Sequence, residues 1–205
     1  MIFNKVRFTK ILAILFLVIG AQFSFIKELK YKSGDLIFLS NPIHPDKLLQ
    51  AITKTKFSHV GIVVKEKGKL SVYYAGATVK SLSIPAFLAL SVNGKFEVMR
   101  YKDTLLLSGL NEAFIFESKK LLGSPYDFKY SWLDKEIYNT ELVWKIYKRA
   151  ANIELCANRP LASLSINDTL IAKKIKREIG DTISPYTKIV SATDLYNSEF
   201  LVKVK

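Results

Sequence analysis

Phe57-Ser58-His59-Val60-Gly61-Ile62-Val63-Val64 is the stretch whose reading decides the fold. Five residues from Val60 to Val64 carry no polar side chain, which reads as a buried strand rather than an amphipathic surface element. The charged turn Lys65–Lys69 comes next, and Leu70–Ala75 reads as the return strand of a hairpin. His59 therefore stands at the mouth of an apolar strand, where a side chain on the next strand can orient its ring. On its own, a histidine so placed is more often structural than catalytic. The second histidine, His44, lies between prolines in Asn41-Pro42-Ile43-His44-Pro45-Asp46 and reads as an exposed loop residue.

Working outward, Ser33-Gly34-Asp35 is a turn, Leu36–Leu39 a short apolar strand, and Asp46 an N-cap for a helix over residues 47–53. Ile84–Leu90 reads as a short helix, Asn93-Gly94 as a tight turn and Phe96–Tyr101 as a strand. The spacing predicts a helix over Leu110–Leu122, ended by Gly123-Ser124-Pro125. Tyr126–Trp132 is aromatic-rich and reads as extended. Glu141–Ala150 is an amphipathic helix with Leu142, Val143, Ile146 and Tyr147 along one face. A basic helix over residues 170–179, a loop over 181–188 and a last short helix over Ser191–Tyr196 complete the chain. Strands and helices mix without βαβ alternation, so the expected class is α+β, a small antiparallel sheet packed on helices.

Residues 1–26 read as a targeting segment ahead of one domain over residues 27–205. Lys5, Arg7 and Lys10 precede the uncharged run Ile11–Ile26, and positive charge before an apolar run directs the downstream chain across the membrane. Sixteen residues is long for a signal peptide's apolar core and short of the ~20 of a comfortable span. Removal as a signal peptide and retention as an anchor in the cytoplasmic membrane both remain open. No cysteine succeeds the run, which excludes a lipoprotein anchor. The expected location is thus periplasmic or otherwise extracytoplasmic.

The net charge is +13, and setting aside Lys5, Arg7 and Lys10 leaves +10. A basic exported surface is attracted to anionic membrane lipid or wall polymer. Nucleic acid is not an expected partner, because no recognisable nucleic-acid motif is present. Neither a zinc-ligand spacing nor a glycine-rich phosphate loop occurs, so no metal or cofactor is implied. With Cys156 the single cysteine, the fold stands on packing without an internal disulfide. Cys156 itself reads as a small buried residue.

In the second half, Asn139-Thr140 runs straight into the amphipathic helix. That position offers free backbone N–H groups and the positive end of the helix dipole, which would lower a thiol pKa. Neither residue is a thiol, and both are good N-caps, so a capped helix is the plain alternative.

Four blocks now stand in order: Gly34-Asp35-Leu36-Ile37-Phe38, Phe57–Val63, Gly123-Ser124-Pro125-Tyr126-Asp127 and Tyr138-Asn139-Thr140-Glu141-Leu142-Val143-Trp144-Lys145. Together they resemble the YiiX/YebB-like branch of the NlpC-type cysteine hydrolases, a circularly permuted papain-like fold of amidases and peptidases. The resemblance runs from about Lys32 to Tyr196-Asn197-Ser198. It implies that His59 holds the position of the general base, Tyr74 that of the residue orienting it, and Asn139 that of the nucleophilic cysteine.

Two of the three roles are thereby changed. A carboxamide has no ionisable form that attacks a carbonyl carbon. A phenol can accept a hydrogen bond from His59 but carries no charge to stabilise an imidazolium. Three functions are expected in consequence. The first is a non-hydrolytic protein that binds an amide- or ester-linked envelope ligand, a peptidoglycan peptide or a lipid. The second is an active hydrolase or acyltransferase using Thr140 or an unrecognised nucleophile. The third is a structural envelope protein with a vestigial cleft.

Overall fold

A computed structural model describes residues 31–40, 56–163, 184 and 186–205. The expected targeting segment over residues 1–26, His44, the helix expected over residues 47–53 and that over residues 170–179 lie outside the described residues, as does part of the loop over 181–188.

Eight strands and five short-to-medium helices form the described part: β1 Leu36–Leu39, β2 His59–Glu66, β3 Lys69–Ala75, β4 Val79–Ser83, α1 Ile84–Leu88, β5 Phe96–Tyr101, α2 Thr104–Ser108, α3 Asn111–Leu121, α4 Asn139–Ala151, β6 Arg159–Pro160, β7 Lys188–Ile189, α5 Ala192–Tyr196 and β8 Leu201–Lys203. Six strands make one antiparallel sheet in the order β4-β3-β2-β1-β5-β8, and β6 pairs with β7 alone. The class is α+β as the sequence indicates, with a wider sheet than the expected small one.

Alternation in the central strands produces the core. Leu36 and Phe38 of β1, Val60, Ile62 and Val64 of β2, and Met99 of β5 are buried in one cluster with Phe114 and Leu121 of α3 and Leu142, Val143, Ile146 and Tyr147 of α4. The register Leu36↔Ile62 and Leu36↔Met99 brings these side chains onto the helix-covered face. His59 and Gly61, one residue out of phase, face the other side. There a Cβ on Gly61 would lie 2.4 Å from Val72 Cγ1 and 3.0 Å from Phe87 Cζ.

The turn before β1 is tied at several points. Gly34 has φ +88, and a Cβ there would meet Leu107 at 2.9 Å, so glycine is required twice over. Asp35 is fully buried and accepts from Arg100 Nε at 2.6 Å and Arg100 Nη2 at 2.7 Å. Its carboxylate also accepts from the Lys32 amide at 2.8 Å, and Tyr147 of α4 donates to the Gly34 carbonyl. A buried carboxylate is tolerated only with such partners.

Several stretches depart from the sequence reading. Tyr126–Trp132 is not extended: Asp127 accepts from the Lys129 and Ser131 amides, and Tyr130 (φ 53) and Trp132 (φ 61) turn through left-handed conformations. β4, α2 and β8 arise where no element is expected. β4 holds through five pairs with β3, and β8 through three with β5.

Two outcomes test this packing. Gly61→Ala drives a methyl into Val72 and Phe87 and is expected to cost about 3 kcal/mol, the upper end for overpacking, in urea unfolding. The second concerns Glu97 of β5. Burial works to raise its carboxyl, yet hydrogen bonds from Lys203, Lys56 and Tyr196 hold it down at about 2. A folded-state value below the ordinary 4.5 means stability that is present above that pH and lost as pH falls toward 2. Glu97→Gln should therefore flatten the acid limb of the stability–pH curve over that window.

Candidate functional site

The site begins where β2 begins. Gly61 lets α1 approach the sheet, and Ser83 caps that helix by accepting from the Ala86 amide at 3.3 Å, with Pro85 in the first turn. Phe87 of α1 is thereby set against His59, with ring centroids 5.9 Å apart and nearly parallel planes. Tyr74 of β3 presents its ring at 5.2 Å and 68° to the same imidazole. His59 is fully buried in this aromatic frame.

From the other side comes the N-terminus of α4. The helix starts two residues earlier than the sequence indicates, so Asn139 and Thr140 are its first helical residues and Tyr138 is the N-cap. Neither Asn139 nor Thr140 caps the helix, because both side chains are used elsewhere. Asn139 Nδ2 donates to the Ser58 carbonyl at 2.8 Å and lies 3.4 Å from His59 Nδ1. Thr140 Oγ1 donates to the Val190 carbonyl at 2.6 Å. The Tyr138 hydroxyl accepts from the Val190 amide at 2.9 Å, so the segment after β7 is sewn to this helix end by two bonds.

Glu141 completes the turn. Its carboxylate accepts from the Tyr138 amide at 3.1 Å and pairs with Lys145 at 2.6 Å, one turn on. Burial pushes the Glu141 carboxyl up to about 7, against the pull of the Lys145 ammonium. Lys145 also donates to the Trp132 carbonyl at 2.8 Å and Asp134 at 3.0 Å, and Arg149 grips Asp134 through both terminal nitrogens. The Arg149 hydrogen bonds, offset in part by burial and helped by Lys145, bring the Asp134 carboxyl down to about 2.

The structure thus gathers His59, Tyr74 and Asn139 into one place, 80 residues separating His59 from Asn139 in the chain. Thr140 is adjacent in sequence but its hydroxyl is turned to Val190. Cys156 is apart from the site, half-buried beyond the end of α4, where its carbonyl accepts from Trp144 Nε1 at 2.8 Å. Burial pushes its thiol up to about 12, so it is a neutral thiol rather than a nucleophile at ordinary pH.

A thiolate at the position of Asn139 would have the papain-like arrangement: a helix N-terminus behind it and an imidazole beside it. The family model described as permuted papain-like amidase enzyme, YaeF/YiiX, C92 family, matches residues 30–205. The chain belongs to this family. A curated relative, the uncharacterized protein YiiX of Escherichia coli K12, is 28% identical over 173 residues, covering 84% of this chain and 85% of the relative. The crystal structure of YiiX from Escherichia coli O157:H7, described as a metalloprotein, superimposes with a TM-score of 0.78 at 28% identity. The match covers 85% of this chain and 96% of that one. Among the described residues of this chain, no three His, Cys, Asp or Glu side chains come together as a metal site.

Sequence reasoning missed Phe87, the Ser58 carbonyl, Glu141 and the Val190 clasp. Only Glu141 left a signal, three residues after Tyr138 at the head of an apolar run. The clasp is open to a direct check. Thr140→Val keeps the shape and strands the Val190 carbonyl, so a loss of about 1–3 kcal/mol is expected in chemical denaturation.

Proposed function

We propose that this protein is an exported, non-hydrolytic member of the permuted papain-like amidase family that binds an amide- or ester-linked ligand of the cell envelope, a peptidoglycan peptide or a lipid. The observation that carries the reading is the Asn139 carboxamide seated 3.4 Å from His59 Nδ1, where the chemistry requires a thiolate. An amide nitrogen at that point donates to a carbonyl and neither attacks carbon nor yields a proton to the imidazole. Tyr74 supports the same reading. Burial raises its hydroxyl above the ordinary phenol value, so it remains neutral and offers no charge to an imidazolium. Export rests on the basic residues Lys5, Arg7 and Lys10 ahead of the apolar run.

Hydrolysis through Thr140 is disfavoured by its hydroxyl proton, which is given to Val190 and not to His59. A structural envelope protein with a vestigial cleft is the second reading. It is favoured by the burial of both His59 and Asn139, at 0% and 1% exposure.

Restoring the missing groups separates these readings. Asn139→Cys places a thiol beside His59 at the helix N-terminus, and Tyr74→Glu supplies a carboxylate on the neighbouring strand. The double variant is expected to label with a cysteine-directed acylating probe at position 139. Asn139→Cys alone should label less, and His59→Ala should abolish the gain. A folded double variant that stays unlabelled would favour the structural reading, because a site closed to a small probe is closed to a ligand.

A further inference from the structure

At the opposite end of β2 from His59, a cavity of about 330 Å³ opens between the turn before β1 and α2. Lys32, Lys65, Arg100, Thr104, Ser108 and Asn111 line it. Asn111 is fixed there: its Oδ1 accepts from Ser33 Oγ at 2.6 Å and its Nδ2 donates to the Lys65 carbonyl at 2.8 Å. Arg100 is committed to Asp35, and the exposed Lys32 and Lys65 stand at the rim without an ion-pair partner among the described residues.

The helix forming one wall is amphipathic in the wrong sense. Thr104, Leu107 and Ser108 share the inward face of α2, with Leu107 buried. Leu105 and Leu106 are on the outward face, 85% and 45% exposed. The two adjacent leucines form an apolar projection on a short, well-capped helix. The cap is Asp103, whose carboxylate accepts from the Leu105 and Leu106 amides at 3.1 and 3.0 Å. Just before α2, the Lys102 amide donates to the Phe200 carbonyl at 2.9 Å, and Phe200 and Val202 are 39% and 41% exposed. Lys102 itself is exposed beside them.

Protruding leucines next to a basic cavity floored with hydroxyls and an amide match one chemistry, an acyl layer topped by phosphate headgroups. We infer that the face built by α2, Lys32, Lys65 and Lys102 docks on an anionic phospholipid bilayer. Leu105 and Leu106 enter the acyl boundary and a headgroup phosphate occupies the cavity. The net charge of +10 outside residues 1–26 supplies the long-range attraction. The inference rests on the proposed export, which brings the protein to the surface of an envelope membrane.

The test uses the full chain with Cys156→Ser and Leu105→Cys, labelled at position 105 with an environment-sensitive fluorophore. It is mixed with vesicles of phosphatidylcholine alone, or of equal parts phosphatidylglycerol and phosphatidylcholine, and sedimented in parallel. The expected result is a blue shift with the anionic vesicles only. Lys32→Glu, Lys65→Glu and Lys102→Glu together should abolish it while leaving the thermal melt unchanged. Sedimentation with an unshifted probe would show an anchored protein whose α2 face stays in water, overturning the docking. A shift with both vesicle types would overturn the anionic specificity. Inorganic phosphate perturbing the probe where vesicles do not would make the cavity a free-anion site and overturn the membrane assignment. A shift and sedimentation that both vanish in high salt would uphold the docking and remove the anchor. Failure of both readouts would remove the two together.

Discussion

The bond from Asn139 Nδ2 to the Ser58 carbonyl closes the seam between the N-terminus of α4 and the residue leading into β2, across 81 residues of chain. Much of the site's geometry depends on that seam. It requires β2 to be covered on one face by α3 and α4 and left open enough on the other for Phe87 to reach His59, which Gly61 permits. It also requires the end of α4 to be held rigidly, which the Glu141–Tyr138 bond and the two bonds to Val190 accomplish. A buried carbonyl such as that of Ser58 is costly to leave without a donor, so the side chain at position 139 has a structural task.

In the proposed reading, that task is how the site keeps its form with the nucleophile position changed. A carboxamide brings a donor and an acceptor to the helix N-terminus, and the donor here satisfies the sheet. The imidazole sits in an aromatic frame of Tyr74 and Phe87. The geometry that brings a helix end to a histidine survives. In that reading, neutral groups stand where a thiolate–imidazolium pair would be. The charge chain Glu141–Lys145–Asp134–Arg149 lies along α4, away from the imidazole, and braces the helix and the preceding loop.

Much of this was legible in the chain because the central strands are short apolar runs bounded by turns. β1 and β5 are read to the residue, and β2 and β3 to within two. β4 was hidden because Val-Lys-Ser-Leu-Ser has too little apolar character to announce a strand, and its pairing with β3 decides the matter. α2 was hidden for a related reason: three consecutive leucines have no helical period, and the Asp103 cap acts locally. The start of α4 was misplaced because tyrosine is not a favoured N-cap, while Asn139 and Thr140 are typical ones whose side chains the tertiary structure takes for other bonds. The hairpin reading brings the strand of Tyr74 beside His59, but the meeting of His59 with Asn139 was reachable only through the order of four sequence blocks, since no local pattern brings together residues 80 apart in the chain.

The central claim is that His59 has no nucleophile to activate. The most direct measurement is turnover of an activated ester and of an amide by the unmodified full-length protein, beside His59→Ala and Thr140→Val. The account predicts background rates for all three, indistinguishable from one another. Hydrolysis by the unmodified protein that disappears in His59→Ala would contradict it, and its further loss in Thr140→Val would identify the Thr140 hydroxyl as the nucleophile.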